Sequence, residues 1–472
     1  MKISCIGAGY VGCVTGTAFA ALGYRTTIID INSQRIDALI NGRSPIYEPG
    51  LDILIKKTIG NTLYADYSYN YVSNSDVIFI AVGTPSTNGG NVDLSYVEIA
   101  AKNIGENLNP FGFTVIVNKS TVPVGTADLV TTIIEETSGL KNGKQFAVVS
   151  NPEFLREGYA LEDVFLPDRI VVGSNSEKAS QIMKKLYSKI VTREGFNTFS
   201  DVITLNRKCH PSLPRYYETD VKSSEMIKYA SNAFLAVKIS YINEVARLSD
   251  ALGANALDVA RGMGMDSRIG EKFLEVSSGW SGSCFPKDTS EFLLTSQQEN
   301  CELSIVASAI KSNKEMHDYC ISKAVRSLGT LNNRTIGILG LTFKPNTDDA
   351  RNTQASYIIE MLLKNGATVK VHDPQGAEMF KSLNGHLDIE YCSDPLDVFT
   401  EAEAVMLLTH WSEYLYIHWE DAFKRMHNPY FLDTRNYLKD IGLSDIGFYY
   451  EGIGVPSHKQ SVTTSAASLI KI

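Results

Sequence analysis

Tryptophan and cysteine are scarce in this 472-residue chain, at 3 and 7 residues. An odd number of cysteines with no close spacing makes neither a disulfide framework nor a zinc module. A reducing, cytoplasmic compartment is therefore expected, and no metal site. No charge sign dominates either. Lys plus Arg number 44 and Asp plus Glu 53, a net charge of −9, which points away from nucleic acid and from anionic membrane surfaces as partners. An anionic ligand would need a locally basic site. Charged residues at 21% and hydrophobic ones at 44% exclude disorder, collagen and coiled-coil rods. At ~150 residues per domain the length suggests about three domains, or two large ones with something between them. One uncharged stretch, residues 3–24, follows Lys2 and could pass for a signal peptide or a membrane span. Gly7, Gly9, Gly12, Gly16 and Gly23 interrupt it, at spacings that have another explanation.

What is present is a repeating strand–helix grammar. Lys2-Ile3-Ser4-Cys5-Ile6 and Thr26-Thr27-Ile28-Ile29-Asp30 read as strands on either side of a glycine turn and a helix. Unbroken apolar runs follow at residues 77–82, 115–117 and 146–149, which predicts a parallel sheet covered on both faces. Residues 221–252 contain neither Gly nor Pro, and Gly253 follows. This predicts one amphipathic helix too long for a single small core, suited to joining domains or subunits. From Arg334 the opening grammar returns, with strands at 335–340, 366–373 (ending in Asp373) and 404–408. The expected fold is α/β: two doubly wound Rossmann-like domains joined by a long central helix. The expected divisions are 1–215, 216–328 and 329–472, the last ending in a Ser/Thr/Lys-rich tail after His458 that is expected to be mobile.

Three constellations carry chemistry. Gly7-Ala8-Gly9-Tyr10-Val11-Gly12 fits G-x-G-x-x-G between a strand and a helix, with Asp30 eighteen residues beyond Gly12 at the end of the next strand. Glycines let the backbone approach a pyrophosphate at a helix N-terminus, and Asp30 can accept hydrogen bonds from a ribose diol, which favours NAD over NADP. Arg35 could stack on adenine or bind phosphate. The bland alternative is a glycine turn that lets helix and strand pack. In Gly279-Trp280-Ser281-Gly282-Ser283-Cys284-Phe285-Pro286-Lys287-Asp288, a flexible loop presents one thiol beside a cation that would lower its pKa and a carboxylate that could move protons. By spacing alone Cys284 is either a nucleophile or a small packed residue. Cys5 and Cys13 read as packing. Lys228 and Asn232 share a helix face, either as oxyanion donors or as an exposed pair.

Together these motifs resemble the nucleotide-sugar 6-dehydrogenase family over essentially the whole chain. Further matching elements are Pro45-Ile46-Tyr47-Glu48-Pro49-Gly50-Leu51, Val82-Gly83-Thr84-Pro85 and Ser120-Thr121-Val122-Pro123-Val124-Gly125-Thr126. Asn151-Pro152-Glu153-Phe154-Leu155-Arg156-Glu157-Gly158 looks like the branch acting on UDP-glucose. Gly264-Met265-Asp266-Ser267-Arg268-Ile269-Gly270, Gly340-Leu341-Thr342-Phe343-Lys344-Pro345 with Asp349 and Arg351, and Asp433-Thr434-Arg435-Asn436 complete the set.

The resemblance implies a four-electron oxidation of a C6 alcohol to a carboxylate with two NAD reduced, or the same chemistry on a UDP-N-acetylhexosamine or GDP-mannose. It implies that Cys284 forms a thiohemiacetal and then a thioester. Lys228 and Asn232 would hold the C6 oxygen, and Glu153, Thr121 and Asp288 would manage water and protons. Gly7, Gly9, Tyr10, Val11, Gly12, Asp30, Arg35, Thr84, Thr121, Glu157, Lys287 and Arg351 would contact NAD. Glu153, Phe154, Leu155, Arg156, Glu157, Lys228, Asn232, Phe273, Ser277, Gly282, Lys344 and Arg435 would line the sugar-nucleotide site, with Arg268 reaching in from a partner subunit of a homodimer or higher homo-oligomer. Two features depart from the family pattern. Ser281 stands where the family has Gly, at a cost of about 1–2 kcal/mol if its backbone is left-handed. The stretch 194–218, containing Arg207-Lys208-Cys209-His210-Pro211, is longer than expected: a bland surface loop, or a contact or regulatory element.

Overall fold

A computed structural model describes residues 1–87, 90–199 and 212–456. The Arg207-Lys208-Cys209-His210-Pro211 run and the tail after His458 lie outside the described residues. The chain forms two compact units, Met1–Phe234 with Cys284–Val306, and Leu235–Ser283 with Ala307–Ile472.

The first unit is built on eight strands: β1 (Lys2–Ile6), β2 (Arg25–Ile29), β3 (Leu63–Asp66), β4 (Val77–Ile80), β5 (Thr114–Asn118), β6 (Phe146–Ser150), β7 (Arg169–Gly173) and β8 (Arg215–Thr219). They lie in the order β3-β2-β1-β4-β5-β6-β7-β8. Neighbours are parallel except β6 and β7, which meet antiparallel at Ser150 and Gly173. The expected all-parallel sheet thus carries one reversed junction. Side chains alternate along each strand: Val77 and Phe79 of β4 enter the core that holds Phe19, Val117 and Phe165. Ile78 and Ile80 enter the opposite core with Ile104, Ile116 and Ile134. Burial on both faces is why these runs lack polar positions. The uncharged 3–24 stretch is explained the same way, as β1 and the helix Tyr10–Ala21 packed inside this unit. Among the described residues no helix is long and apolar enough to cross a membrane.

The second unit holds six parallel strands, β9 (Thr335–Leu339), β10 (Thr368–His372), β11 (Glu390–Tyr391), β12 (Ala404–Leu407), β13 (Tyr430–Asp433) and β14 (Tyr449–Gly452), in the order β11-β10-β9-β12-β13-β14. Ala404 and Met406 face one core and Val405 and Leu407 the other, the same two-sided burial as in the first unit. The predicted helix runs unbroken from Val221 to Leu252. It ends at Gly253, whose φ of +74° is a left-handed stop.

Candidate active site

The glycine turn after β1 is shaped by space. Gly7 has φ +108°, and a Cβ there would sit 2.5 Å from the Ala81 carbonyl oxygen. A Cβ on Gly12 would sit 1.9 Å from the Gly7 carbonyl oxygen. Gly9, by contrast, faces open space, at the head of the Tyr10–Ala21 helix, whose N-cap is this glycine and whose first turn holds no acid. Room and uncompensated helix polarity together suit a pyrophosphate. Asp30 accepts hydrogen bonds from Ala8 N (2.6 Å) and Asn32 N (2.8 Å), and Arg35 lies 3.7 Å away. The carboxylate is thereby fixed to the glycine loop with acceptor capacity left for a ribose diol. Thr84 Oγ1 donates to the Thr121 carbonyl (3.0 Å), which ties two further expected cofactor residues together. These residues fit NAD. The corresponding acid of the second unit does not: Asp373 takes Leu341 N, Thr342 N, Trp411 Nε1, Gln375 N and Gly376 N. Its oxygens are consumed by the fold.

The reactive candidates converge within the first unit. Lys228 and Glu153 are both buried and paired at 2.9 Å, and Glu153 also accepts from Leu155 N at 2.7 Å. Asn232, one turn further along the long helix, donates Nδ2 to Asp288 Oδ2 at 2.6 Å, while Lys287 donates to Asp288 Oδ1 at 2.7 Å. Lys228 and Asn232 are 4% and 7% exposed, so the exposed-pair alternative fails. The Phe154 ring lies beneath both Arg169 (4.1 Å) and Lys228 (5.4 Å). Arg156 is turned onto Asp163, donating from Nε and Nη2. Glu157 is buried.

Burial pulls the Lys228 pKa down, but Glu153, Asp288 and Cys284 outweigh it and hold the ammonium above the ordinary lysine value. Cys284 precedes the helix Phe285–Gln298 and keeps solvent-accessible surface. Its sulfur is nonetheless desolvated by dense surroundings, and with Asp288 and Glu153 this pushes the thiol up to about 11, against Lys228. The expectation of a thiol activated by Lys287 is corrected here. Lys287 is spent on Asp288, and the cation acting on the thiol is Lys228. Cys5 and Cys13 are buried, as expected of packing residues.

The loop before Cys284 belongs to the second unit and is strapped to two helices. Asn313 accepts from Trp280 N and donates to Trp280 O, both at 2.8 Å. Asn243 accepts from Ser277 N at 2.9 Å, and Ser240 Oγ accepts from Trp280 Nε1 at 2.9 Å. Gly282 has φ +87°, and a Cβ there would meet the Phe343 ring at 2.7 Å. Ser281 is not among the left-handed residues, so its replacement of the family's glycine carries no backbone strain. Its hydroxyl bonds to Gln354. Phe273 is left-handed at φ +65°, beside a turn that Lys238 gathers by donating to the carbonyls of Ile269 and Lys272. Arg351 grips Asp349 through Nε and Nη2 at 2.8 Å each. Arg435 is drawn inward by the Leu408 carbonyl (2.7 Å) and pushed down to about 10 by burial. Among the described residues it has no ion pair, an unbalanced cation suited to an anionic ligand. Arg268 is 87% exposed and pairs with Asp266.

Two carboxylates were not singled out from the sequence. Glu48 accepts from Gly158 N and Ala160 N at 2.7 Å, and Glu225 from Gly125 N (2.7 Å) and Ala127 N (2.9 Å). Each fastens the loop before a helix onto a distant element. Their partners are 98 or more residues away in sequence, so no local pattern shows what they hold.

Residues 1–191, 222–315 and 337–440 match, in turn, the NAD binding, central and UDP binding domains of the UDP-glucose/GDP-mannose dehydrogenase family. The chain belongs to that family. UDP-glucose 6-dehydrogenase of Rhizobium meliloti is 41% identical over 97% of this chain and 100% of its own length. A UDP-glucose dehydrogenase from Pyrobaculum islandicum superposes with a TM-score of 0.84 at 35% identity, covering 96% of this chain and 98% of its own. A UDP-D-ManNAc dehydrogenase from Pyrococcus horikoshii does so at 0.80 and 26%, covering 96% and 99%. Like its family, the protein is an NAD-dependent oxidoreductase, and its cofactor is NAD.

Proposed function

We propose that the protein oxidises the C6 alcohol of UDP-glucose to the carboxylate of UDP-glucuronate, supplying a precursor for polysaccharide biosynthesis in the cytoplasm. The observation that carries this reading is the buried network joining Lys228, Glu153, Asn232 and Asp288 beside Cys284. Gly7, Gly9, Tyr10, Val11, Gly12, Asp30, Arg35, Thr84, Thr121, Glu157, Lys287 and Arg351 would hold NAD, which would supply the hydride acceptor for the two oxidations. Lys228, kept as an ammonium, stabilises the oxygen as the C6 hydroxyl loses its proton, and Glu153 takes that proton on. The Cys284 sulfur then adds to the C6 aldehyde while its proton passes to Asp288. An aldehyde gains a readily lost second hydride only once a nucleophile has added to it. Lys228 and Asn232 hold the oxyanion of the thiohemiacetal. Loss of hydride leaves a thioester. Water positioned by Glu153, Thr121 and Asp288 cleaves it to the acid and returns a proton to the sulfur.

The sugar nucleotide is assigned to Glu153, Phe154, Leu155, Arg156, Glu157, Lys228, Asn232, Phe273, Ser277, Gly282, Lys344 and Arg435. The unpaired Arg435 supports the diphosphate end. In this reading 1–215 binds NAD, 216–328 dimerises and carries the cysteine loop, and 329–472 binds the uridine half. A homodimer is supported by Phe234, Tyr241 and Leu248, 64%, 52% and 58% exposed at seven-residue spacing on the long helix, with Arg268 serving the partner's site. A panel of UDP-glucose, UDP-N-acetylglucosamine, UDP-N-acetylmannosamine and GDP-mannose tests the substrate. At least ~100-fold preference in kcat/KM for UDP-glucose is expected, and preference for any of the others would replace this reading with the sibling activity.

A further inference from the structure

Lys119 follows β5 and is 8% exposed. Its Nζ donates to Asn151 Oδ1 at 3.1 Å and lies 3.5 Å from the Tyr187 hydroxyl, with the Tyr187 ring centre 6.0 Å away. Both partners are neutral, and among the described residues Lys119 has no ion pair. Burying an ammonium without a carboxylate is costly, and an apolar residue of similar volume would fill the space without that cost. Stability therefore gives no reason for the charge. Asn151 is fixed at several points: it receives Lys119 and the Tyr187 hydroxyl, donates Nδ2 to Val171 O at 2.7 Å, and donates its amide to Asn118 O at 3.0 Å. Two residues later comes Glu153, holding Lys228.

We infer that Lys119 is the positioning residue behind Glu153: through Asn151 it fixes the Asn151-Pro152-Glu153 turn, and with it the place from which Glu153 holds Lys228. This rests on the reading of Glu153 and Lys228 as groups at the reacting carbon. Lys119 is faced by Glu153 beyond β6, Lys228 from the long helix, Tyr187 from the helix Glu177–Thr192 and Cys5 from β1. Glu153 is faced by Lys119, Lys228 and Cys284. Burial pushes Lys119 down to about 8, Glu153 opposing and Lys228 adding to it. The charge is present at neutral pH and lost above it.

The test is kcat and KM at pH 7 for wild type, Lys119→Met and Lys119→Arg, with UDP-glucose and NAD. Lys119→Met is expected to lower kcat about tenfold while KM for NAD stays within about twofold, and Lys119→Arg, which keeps a donor to Asn151, should restore kcat to within about threefold. An unchanged kcat in Lys119→Met, or an equal loss in both variants, would overturn the inference. If Lys119→Met does not fold, Lys119→Gln, which also keeps a donor to Asn151, should hold kcat within about threefold, and a loss of about tenfold there would overturn the inference. Absence of turnover in the wild type would instead sink the assigned function.

Discussion

Cys284 meets solvent as a thiol and not a thiolate, which sets its chemistry in the ligand-free protein. Its pKa of about 11 means that site-resolved alkylation by iodoacetamide should be slow at pH 7 and still rising beyond pH 10, where a free cysteine has levelled off. Rates level above pH 10 would contradict it. Lys228→Met removes the cation that opposes this rise and should slow alkylation further at fixed pH. In turnover, Cys284→Ser should allow the first oxidation and stall the second, leaving an ester or aldehyde-level species bound. Ordinary acid production by that variant would refute the covalent role. At this scale the sequence was informative where chemistry and motif coincide, as in Cys284, Lys228, Asn232 and Asp30. It was silent on Lys119 and Glu225, because a buried charge is defined by what surrounds it. It also misassigned the cation acting on the thiol, because Lys287 is close in sequence yet bonded elsewhere.

Elements are held in place here by a few buried polar straps. Asn313→Ala removes both main-chain bonds to Trp280 and leaves those groups buried without partners. A loss of about 2–4 kcal/mol in stability is expected in denaturant unfolding, and a loss below about 0.5 kcal/mol would show the strap to be dispensable. Glu225 carries a pH signature. Burial raises its pKa to about 7 in the folded protein, against bonds from Gly125 and Ala127 that lower it. The folded state therefore binds this proton more tightly than the unfolded one. Stability it contributes below pH 4.5 is lost as pH rises toward 7, on the order of 3 kcal/mol. Glu225→Gln should flatten that part of the stability profile, and an unchanged slope would refute the assignment. Strands with aliphatic runs were legible from the sequence, such as β4 and β12. Short or tyrosine-rich ones were not: β8 (RYYET) and β14 (YYEG) owe their place to pairing with β7 and β13.

On the scale of the whole molecule, the chain holds two Rossmann-like units and a 32-residue helix with an exposed seven-residue repeat, and the proposed homodimer rests on that repeat. Replacing Phe234 and Tyr241 with Glu should shift sedimentation from dimer to monomer, and loss of activity should accompany it if Arg268 serves the partner's site. A dimer persisting in that variant would place the interface elsewhere. The repeat of the opening grammar after Arg334 made the two-unit plan legible. The one reversed junction, between β6 and β7, was not, since strand direction is set by connections and leaves no mark on local composition. The central claim is that one thiol-bearing site carries out two successive oxidations on one sugar. The most direct measurement is the yield of NADH per UDP-glucose at completion, with sugar limiting and NAD in excess. Two per sugar is the predicted result, and one per sugar would contradict it.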